Sequence, residues 1–179
     1  MKATSFPYDA SLDEIRRAPK QAGRIELVAR RPRAGEREVV EHAMLDIELG
    51  LVGDSWSKRP HRKLGRPHPD GQITLMSSRA IAAIVPDRAA WALAGDQLFV
   101  DLDLSPANLP PGTRLAVGTA VLEVTAEPHL GCVKFTKRFG SDATKWVNTP
   151  TGKQLNLRGI NAKVVVAGEV RPGDEIRKL

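Results

Sequence analysis

Apolar residues in this chain fall in short runs closed by glycine, proline or polar clusters, and few of them recur at the three-to-four spacing of a long amphipathic helix. From Gly23 the run Ile25-Glu26-Leu27-Val28-Ala29 predicts a strand, and Pro32 with Gly35 supplies the following turn. Val39, Val40 and then Met44, Leu45, Ile47 and Leu49 predict one or two more strands, ended by Gly50-Leu51-Val52-Gly53-Asp54. Residues Ser55 to Gly71, rich in Pro, Gly, His and basic side chains, are too polar for core, and a loop of that length is more often functional than incidental. Ile73, Leu75 and Met76 predict a short strand. Ser77 or Ser78 then caps a helix through Ile84, ending before Pro86.

The second half reads mainly as strands and turns. Leu98-Phe99-Val100-Asp101-Leu102 is expected to alternate at period two, and Pro110-Pro111-Gly112 to turn. Leu115 to Val124 predicts a hairpin about Gly118, and Val133 to Phe139 a helical stretch after Cys132. Ala162 to Ala167 reads as a buried strand, Gly168 as a turn, and Arg171-Pro172-Gly173-Asp174 as a tight turn before Glu175-Ile176. The expectation is a mainly β protein with a few short helices, its strands closed into a barrel and its helices confined to the loops. Residues 1–22 read as an N-terminal extension whose Ser11 and Glu14 form a capping box for a helix from Leu12 to Ala18, with one domain over residues 23–179.

Composition narrows the partners. The 179 residues are 41% hydrophobic and 27% charged, as in an ordinary globular domain. No apolar stretch approaches membrane-spanning length and no hydrophobic leader follows Lys2, so the chain is expected to be cytoplasmic, without membrane partners. The net charge of +6 favours anionic ligands. Positive charge gathers in Lys58-Arg59-Pro60-His61-Arg62-Lys63 with Arg66, and again at Lys134, Lys137 and Arg138. Nucleic acid is not the expected partner, because only 4% of the chain is aromatic and single-strand binding needs stacking platforms among the charges. A solvated loop is the plain reading of the first cluster. One cysteine forms no internal disulfide, and four scattered histidines do not make a structural zinc site.

The candidate chemistry centres on Pro128-His129-Leu130-Gly131-Cys132-Val133-Lys134-Phe135. A thiol where a helix begins, with Lys134, Lys137 and Arg138 close in sequence, is favoured as thiolate, able to bind a soft metal or to carry sulfur as a persulfide. The plain alternative is an inert, buried cysteine. Asp54, Asp96, Asn108, Arg158 and Asp174 stand at predicted strand ends beside turn residues. Asp54 and Asp174 read as turn stabilisers, whereas Arg158 before Gly159 offers a guanidinium fork to a phosphate.

Taken in order, Gly50-Leu-Val-Gly-Asp54, Ala94-Gly-Asp-Gln-Leu98, Leu109 to Leu115, Val121-Leu-Glu-Val-Thr125, Pro128 to Cys132, Arg158-Gly159 and Val170 to Ile176 resemble the MOSC domain, the family named for the C-terminal part of molybdenum cofactor sulfurases. The resemblance runs from about Gly23 to Leu179 and points to a small stand-alone bacterial type. It implies a MOSC-type β-barrel with a pocket bearing Cys132. By the same resemblance Cys132 is the metal ligand and catalytic residue, binding molybdenum cofactor (molybdopterin), with His129, Lys134, Arg138, Arg158, Asp96 and Asn108 as the cofactor-binding set. It further implies a small-molecule substrate and either reduction of N-hydroxylated or N-oxide compounds, with a separate electron-donor protein, or sulfur transfer. The chain departs from the family's common Phe-Gly-Glu-Asn-Leu-like segment, having Ala94-Gly95-Asp96-Gln97-Leu98 there. The alternatives are a metal-free persulfide carrier and a non-catalytic barrel that grips an anionic partner.

Overall fold

The computed structural model describes residues 5–179. Its elements are α1 (Leu12–Arg16), β1 (Ala22–Arg30), β2 (Glu38–Val40), β3 (Ala43–Asp46), β4 (Gly50–Leu51), β5 (Ile73–Ser77), α2 (Ser78–Ile84), β6 (Leu98–Asp101), β7 (Arg114–Val117) and β8 (Ala120–Val124), followed by α3 (Val133–Asn148), α4 (Pro150–Gln154), β9 (Ile160–Val166), β10 (Gly168–Val170) and β11 (Glu175–Lys178). Strands β11, β7, β8, β9, β5, β6 and β1 are hydrogen-bonded in that order, and β1 pairs back onto β11 through Ala22 with Arg177 and Gly23 with Ile176. The result is a seven-strand closed β-barrel with a few short helices. Closure leaves β2 as a short flap on β1, while β10, β3 and β4 form a separate small sheet.

The pairings are antiparallel except β5 with β6, which run parallel. A parallel neighbour needs a crossover, and here α2 and the 3₁₀ segment Arg88–Ala94 supply it. Ser77 caps α2 by accepting the Ala80 amide at 3.4 Å. This crossover ends at Gly95-Asp96, at the mouth of the barrel, and delivers the chain into β6.

Two apolar clusters share the barrel wall. Inside lie Ile25, Val28, Leu75, Leu98, Val100, Leu122, Ala162 and Ile176. Outside, Leu27, Ala29, Met76 and Phe99 point from the same strands into a helical layer with Ile81, Trp91, Phe135, Ala143, Trp146 and Val147. Strands β1, β5 and β6 are therefore covered on both faces. The period-two alternation expected of Leu98 to Leu102 is replaced by a continuously buried run, because Phe99 packs on the helices while Leu98 and Val100 fill the barrel. Strand β8 has only its inner face covered and keeps the alternation.

Other local expectations shift for identifiable reasons. Ser11 makes no capping hydrogen bond, and Glu14 turns instead to Arg79 at 2.8 Å; the first helix ends at Arg16, where Arg17 leaves helical geometry. The same segment buries Ile15 against the helical layer, and Ala18 is buried as well. Gly50-Leu51, expected to end the preceding strands, and Gly168, expected as a turn, fall in β4 and β10 because β3 lies between them and takes up their backbone groups. Helix α3 runs beyond Phe139 to Asn148, but Gly140 has φ +88° and splits it into two pieces.

Leu75→Ala, which opens a void in the closed barrel, is expected to cost about 2–5 kcal/mol in denaturant unfolding. Val39→Ala on the exposed flap is expected to change stability by about 0.5 kcal/mol or less. Equal losses at both positions would contradict this layering.

Candidate functional site

Asp96 sits where the crossover meets β6, and its side chain is completely enclosed. A buried carboxylate is costly unless paired, and two partners reach it from distant parts of the chain. Arg158, from the turn entering β9, donates through Nη1 to Oδ2 at 2.6 Å and through Nη2 to the Ala94 carbonyl at 3.0 Å. His129, from the loop between β8 and α3, donates through Nε2 to Oδ1 at 2.6 Å. The Arg158 guanidinium also lies 4.8 Å from the centre of the Phe135 ring, on the first turn of α3. Burial alone would raise the Asp96 pKa, but the charges and hydrogen bonds of Arg158 and His129 outweigh it and bring it to about 2. Burial lowers the His129 pKa, and the charges of Arg158 and Arg31 add to it, against the opposing charge and hydrogen bond of Asp96. At neutral pH the imidazole is therefore uncharged, with its proton on Nε2 and a lone pair on Nδ1.

Gly159 makes this assembly possible. Its φ is +111°, and a side chain there would collide with the Leu75 carbonyl and come within 3.1 Å of the His129 ring. Gln97, beside Asp96, is fully buried and spans strands: Oε1 accepts from the Thr74 amide at 2.8 Å, and Nε2 donates to the Gln72 carbonyl at 3.2 Å. The longer amide is a bracket for the barrel mouth.

A crowd of arginines surrounds Gly95. Gly95 has φ +89°, and a Cβ on it would lie 3.2 Å from Arg37 Nη2 and 3.6 Å from Arg138 Nη1. Arg138 donates to the Leu93 carbonyl at 2.6 Å, and Arg31 to the Gly95 carbonyl at 3.2 Å. Buried Asp54 accepts from Arg31 Nε and Nη2 at 2.8 and 2.9 Å, and from the Arg31 and Trp56 amides, while Arg59 stands 3.7 Å away. Burial would raise the Asp54 pKa, but these bonds and the Arg31 charge leave it below the ordinary value. The Arg37 pKa falls through burial and then through the charges of Arg138, Arg31 and Arg59. Positive charge therefore exceeds negative charge around Gly95, with Arg31 and Arg59 on Asp54 and Arg138 beside Arg37.

The sequence-predicted residues divide. Asp96, His129 and Arg158 form one hydrogen-bonded unit, and Arg138 joins the arginine crowd. Cys132 is exposed, which removes the inert buried reading, and stands at the N-cap of α3, three residues after His129. The loop joining them is pinned where Asn148 brackets Gly131, accepting from its amide and donating to its carbonyl, both at 3.0 Å. Lys134 is exposed on the first turn of α3 and makes no side-chain hydrogen bond among the described residues. Asn108 does not join the cluster, because its amide donates to the Lys20 and Asp103 carbonyls and its oxygen accepts from Lys178. Arg31 and Arg37 were missed, and Arg59 was read only as part of a solvated basic loop. The signal for them was the density of arginines around the Pro32–Gly35 turn, which resembles an ordinary solvated turn until Asp54 draws Arg31 inward.

These features define a closed β-barrel protein with an arginine-lined mouth, a buried carboxylate relay and an exposed thiol beside it. The MOSC domain family matches residues 68–177, and the chain belongs to that family. A search of curated protein sequences found no match. Similar solved structures include the YuaD protein of Bacillus subtilis, with a TM-score of 0.61 and 18% identity, covering 87% of this chain and 94% of that one. YiiM of Escherichia coli gives 0.56 and 23%, covering 87% and 69%. YiiM of Geobacillus stearothermophilus gives 0.58 and 16%, covering 88% and 75%. At these identities the likeness is one of fold.

Asp96 and His129 both have native pKa values below their ordinary ones, so each favours folding at neutral pH and loses that contribution in acid. The loss begins as pH falls below about 6.5 for His129 and below about 3.9 for Asp96, where the unfolded chain takes up protons that the native state refuses. For Asp96 it is complete near pH 2. Asp96→Asn strands buried Arg158 without a counter-charge and is expected to cost about 3–5 kcal/mol at pH 7, with a smaller penalty near pH 3. His129→Gln is expected to flatten the decline between about pH 6.5 and 5. Thermal unfolding followed across this range checks both, and parallel curves for wild type and variants would refute the assignment.

Proposed function

We propose that this protein binds a molybdenum cofactor, with Cys132 as the protein ligand to the metal, and acts on N-hydroxylated or N-oxide small molecules or in sulfur transfer. The observation that carries this reading is where the orphaned polar atoms lie. Among the described residues, the buried side-chain nitrogens and oxygens with no hydrogen-bond partner are Arg37 Nε, Ser55 Oγ and Arg158 Nε. One belongs to the arginine crowd, one lies between Asp54 and Trp56, and one is on the Asp96 relay. Buried polar groups are nearly always satisfied, and a cluster of exceptions beside surplus positive charge suits a polar, anionic ligand.

The donor set fits the cofactor in a second way. Among the described residues no group of three or more His, Cys, Asp and Glu side chains is arranged to hold a metal ion. A metal here would need most of its ligands from a cofactor that carries them, which a dithiolene-bearing pterin does, with a soft thiolate completing the set. Arg31, Arg37 and Arg138 would hold the phosphate, and Arg158, fixed by Asp96, would face the ring system. When bound, the cofactor would supply two-electron redox chemistry or a transferable sulfur. His129 would hold its proton at Nε2 against Asp96 and present Nδ1 as an acceptor. A reductase role also calls for a separate electron-donor protein.

The exposure of Cys132 favours a second reading, in which the thiol accepts the terminal sulfur of a donor persulfide and carries it without metal. Expression in a cofactor-competent host, with metal and pterin analysis of the purified chain, separates the two. The cofactor reading expects molybdenum and pterin in wild type and loss of molybdenum in Cys132→Ala. Arg37→Ala is expected to weaken pterin retention about tenfold or more, the effect of removing one charge-assisted contact. Absence of both from wild type, or equal loading in Cys132→Ala, would sink it. A reductant-reversible mass gain of one sulfur at Cys132 would support the carrier.

A further inference from the structure

The loop between β4 and β5 does more than carry solvated charge. Arg31, Trp56, Arg59, His61, His68 and Gly71 line an open cleft of about 270 Å³, which has room for one small molecule. The side-chain groups its lining residues leave free are donors. The His61 Nδ1 accepts the Lys63 amide at 3.3 Å and the His68 Nδ1 accepts the Asp70 amide at 3.2 Å. In the neutral rings both protons therefore sit on Nε2. The His61 Nε2–H has no partner among the described residues, and the His68 Nε2 is 3.6 Å from Glu127 Oε2, beyond a good hydrogen bond. Arg59 keeps its fork free apart from the 3.7 Å approach to Asp54. The acid opposite is already engaged, since Asp54 lies buried against the Arg31 guanidinium.

The walls are flat. The His61 and His68 rings meet edge to face at 5.0 Å, and the Trp56 indole is held in place by Nε1 donating to the His68 carbonyl at 3.2 Å. We infer that this cleft binds a small planar molecule through an anionic oxygen group, a phosphate or carboxylate, which takes the Arg59 fork and the histidine Nε2–H groups while its ring lies against Trp56. Its role as the substrate pocket rests on the function proposed above. The binding itself does not.

The assignment is tested by calorimetric titration of the full chain, both cofactor-free and cofactor-loaded. Phenyl phosphate and benzoate are expected to bind the cofactor-free protein, with phenol and inorganic phosphate each weaker by about tenfold, since each lacks one half of the recognition. Arg59→Ala and His61→Ala should each weaken phenyl phosphate about tenfold, with Arg59→Lys intermediate. Trp56→Leu should weaken phenyl phosphate and leave inorganic phosphate unchanged. Circular dichroism of each variant is expected to match wild type. Cys132→Ala should bind the probe as wild type does, so failure of the cofactor reading leaves this result intact. Phenol binding as tightly as phenyl phosphate, or wild-type affinity in both Arg59→Ala and His61→Ala, would overturn the assignment. So would a 5′-phosphorylated oligonucleotide binding where phenyl phosphate does not. Loss of the probe on cofactor loading would give these donors to the cofactor's own phosphate and overturn the substrate role.

Discussion

A single carboxylate with no access to water organises the mouth of this barrel. Asp96 is ionised because Arg158 and His129 both reach it at 2.6 Å; without Arg158 its charge would be uncompensated in a region of low dielectric, and without His129 one carboxylate oxygen would lose its hydrogen bond. The two partners come from the entry to β9 and the exit from β8, strands that are neighbours in the barrel. The ion pair thus fixes the loop after β8, and with it the residue at which α3 starts. Phe135, one turn into α3, packs on the same guanidinium that holds Asp96. The position of Cys132 follows from groups that have no reactivity of their own.

The arginines around Gly95 pose the opposite electrostatic problem. Asp96 has Arg158 to itself, whereas Arg31, Arg59 and Arg37 have Asp54 as their nearby acid and Arg138 adds a further positive charge beside Arg37. Like charges held at this separation destabilise a folded chain, and a fold tolerates them where a ligand supplies the missing negative charge. The backbone is shaped for the crowding, since Gly95 takes a conformation that leaves Arg37 and Arg138 the space a side chain would fill. The Asp96 relay and the arginine crowd meet at adjacent residues, so one segment sets both where the thiol stands and where positive charge collects.

Much of the barrel was legible in the sequence because strands and turns are local. The hairpin about Gly118, the β5 to α2 junction at Ser77 and the tight turn at Arg171 to Asp174 all lie where residue types dictate. What escaped was set by tertiary partners. Leu98 to Asp101 lost its alternation because helices cover the outer face, and Ser11 lost its cap because Glu14 found Arg79. In the site, Asp96, His129 and Arg158 were visible as polar residues at strand ends near the cysteine, and the MOSC-like order of motifs drew attention to them. Arg31, Arg37 and Arg59 were not, because an arginine in a turn reads as solvated until a buried acid or a glycine-made gap draws it in. Asn108 showed the converse, a turn residue whose bonds to Lys20, Asp103 and Lys178 tie the opposite seam of the chain.

The exposure of Cys132 follows from this division of labour. A thiol buried within the relay would compete with Arg158 and His129 for Asp96 and would be closed to any ligand. Placed three residues beyond His129, on a loop pinned by Asn148, it is held by a rigid frame and yet open to solvent. Rigidity of the supporting shell with access at the reacting atom is what a binding or transfer site requires. The cost falls on the frame, where Arg158 Nε and Arg37 Nε are buried without a hydrogen-bond partner among the described residues.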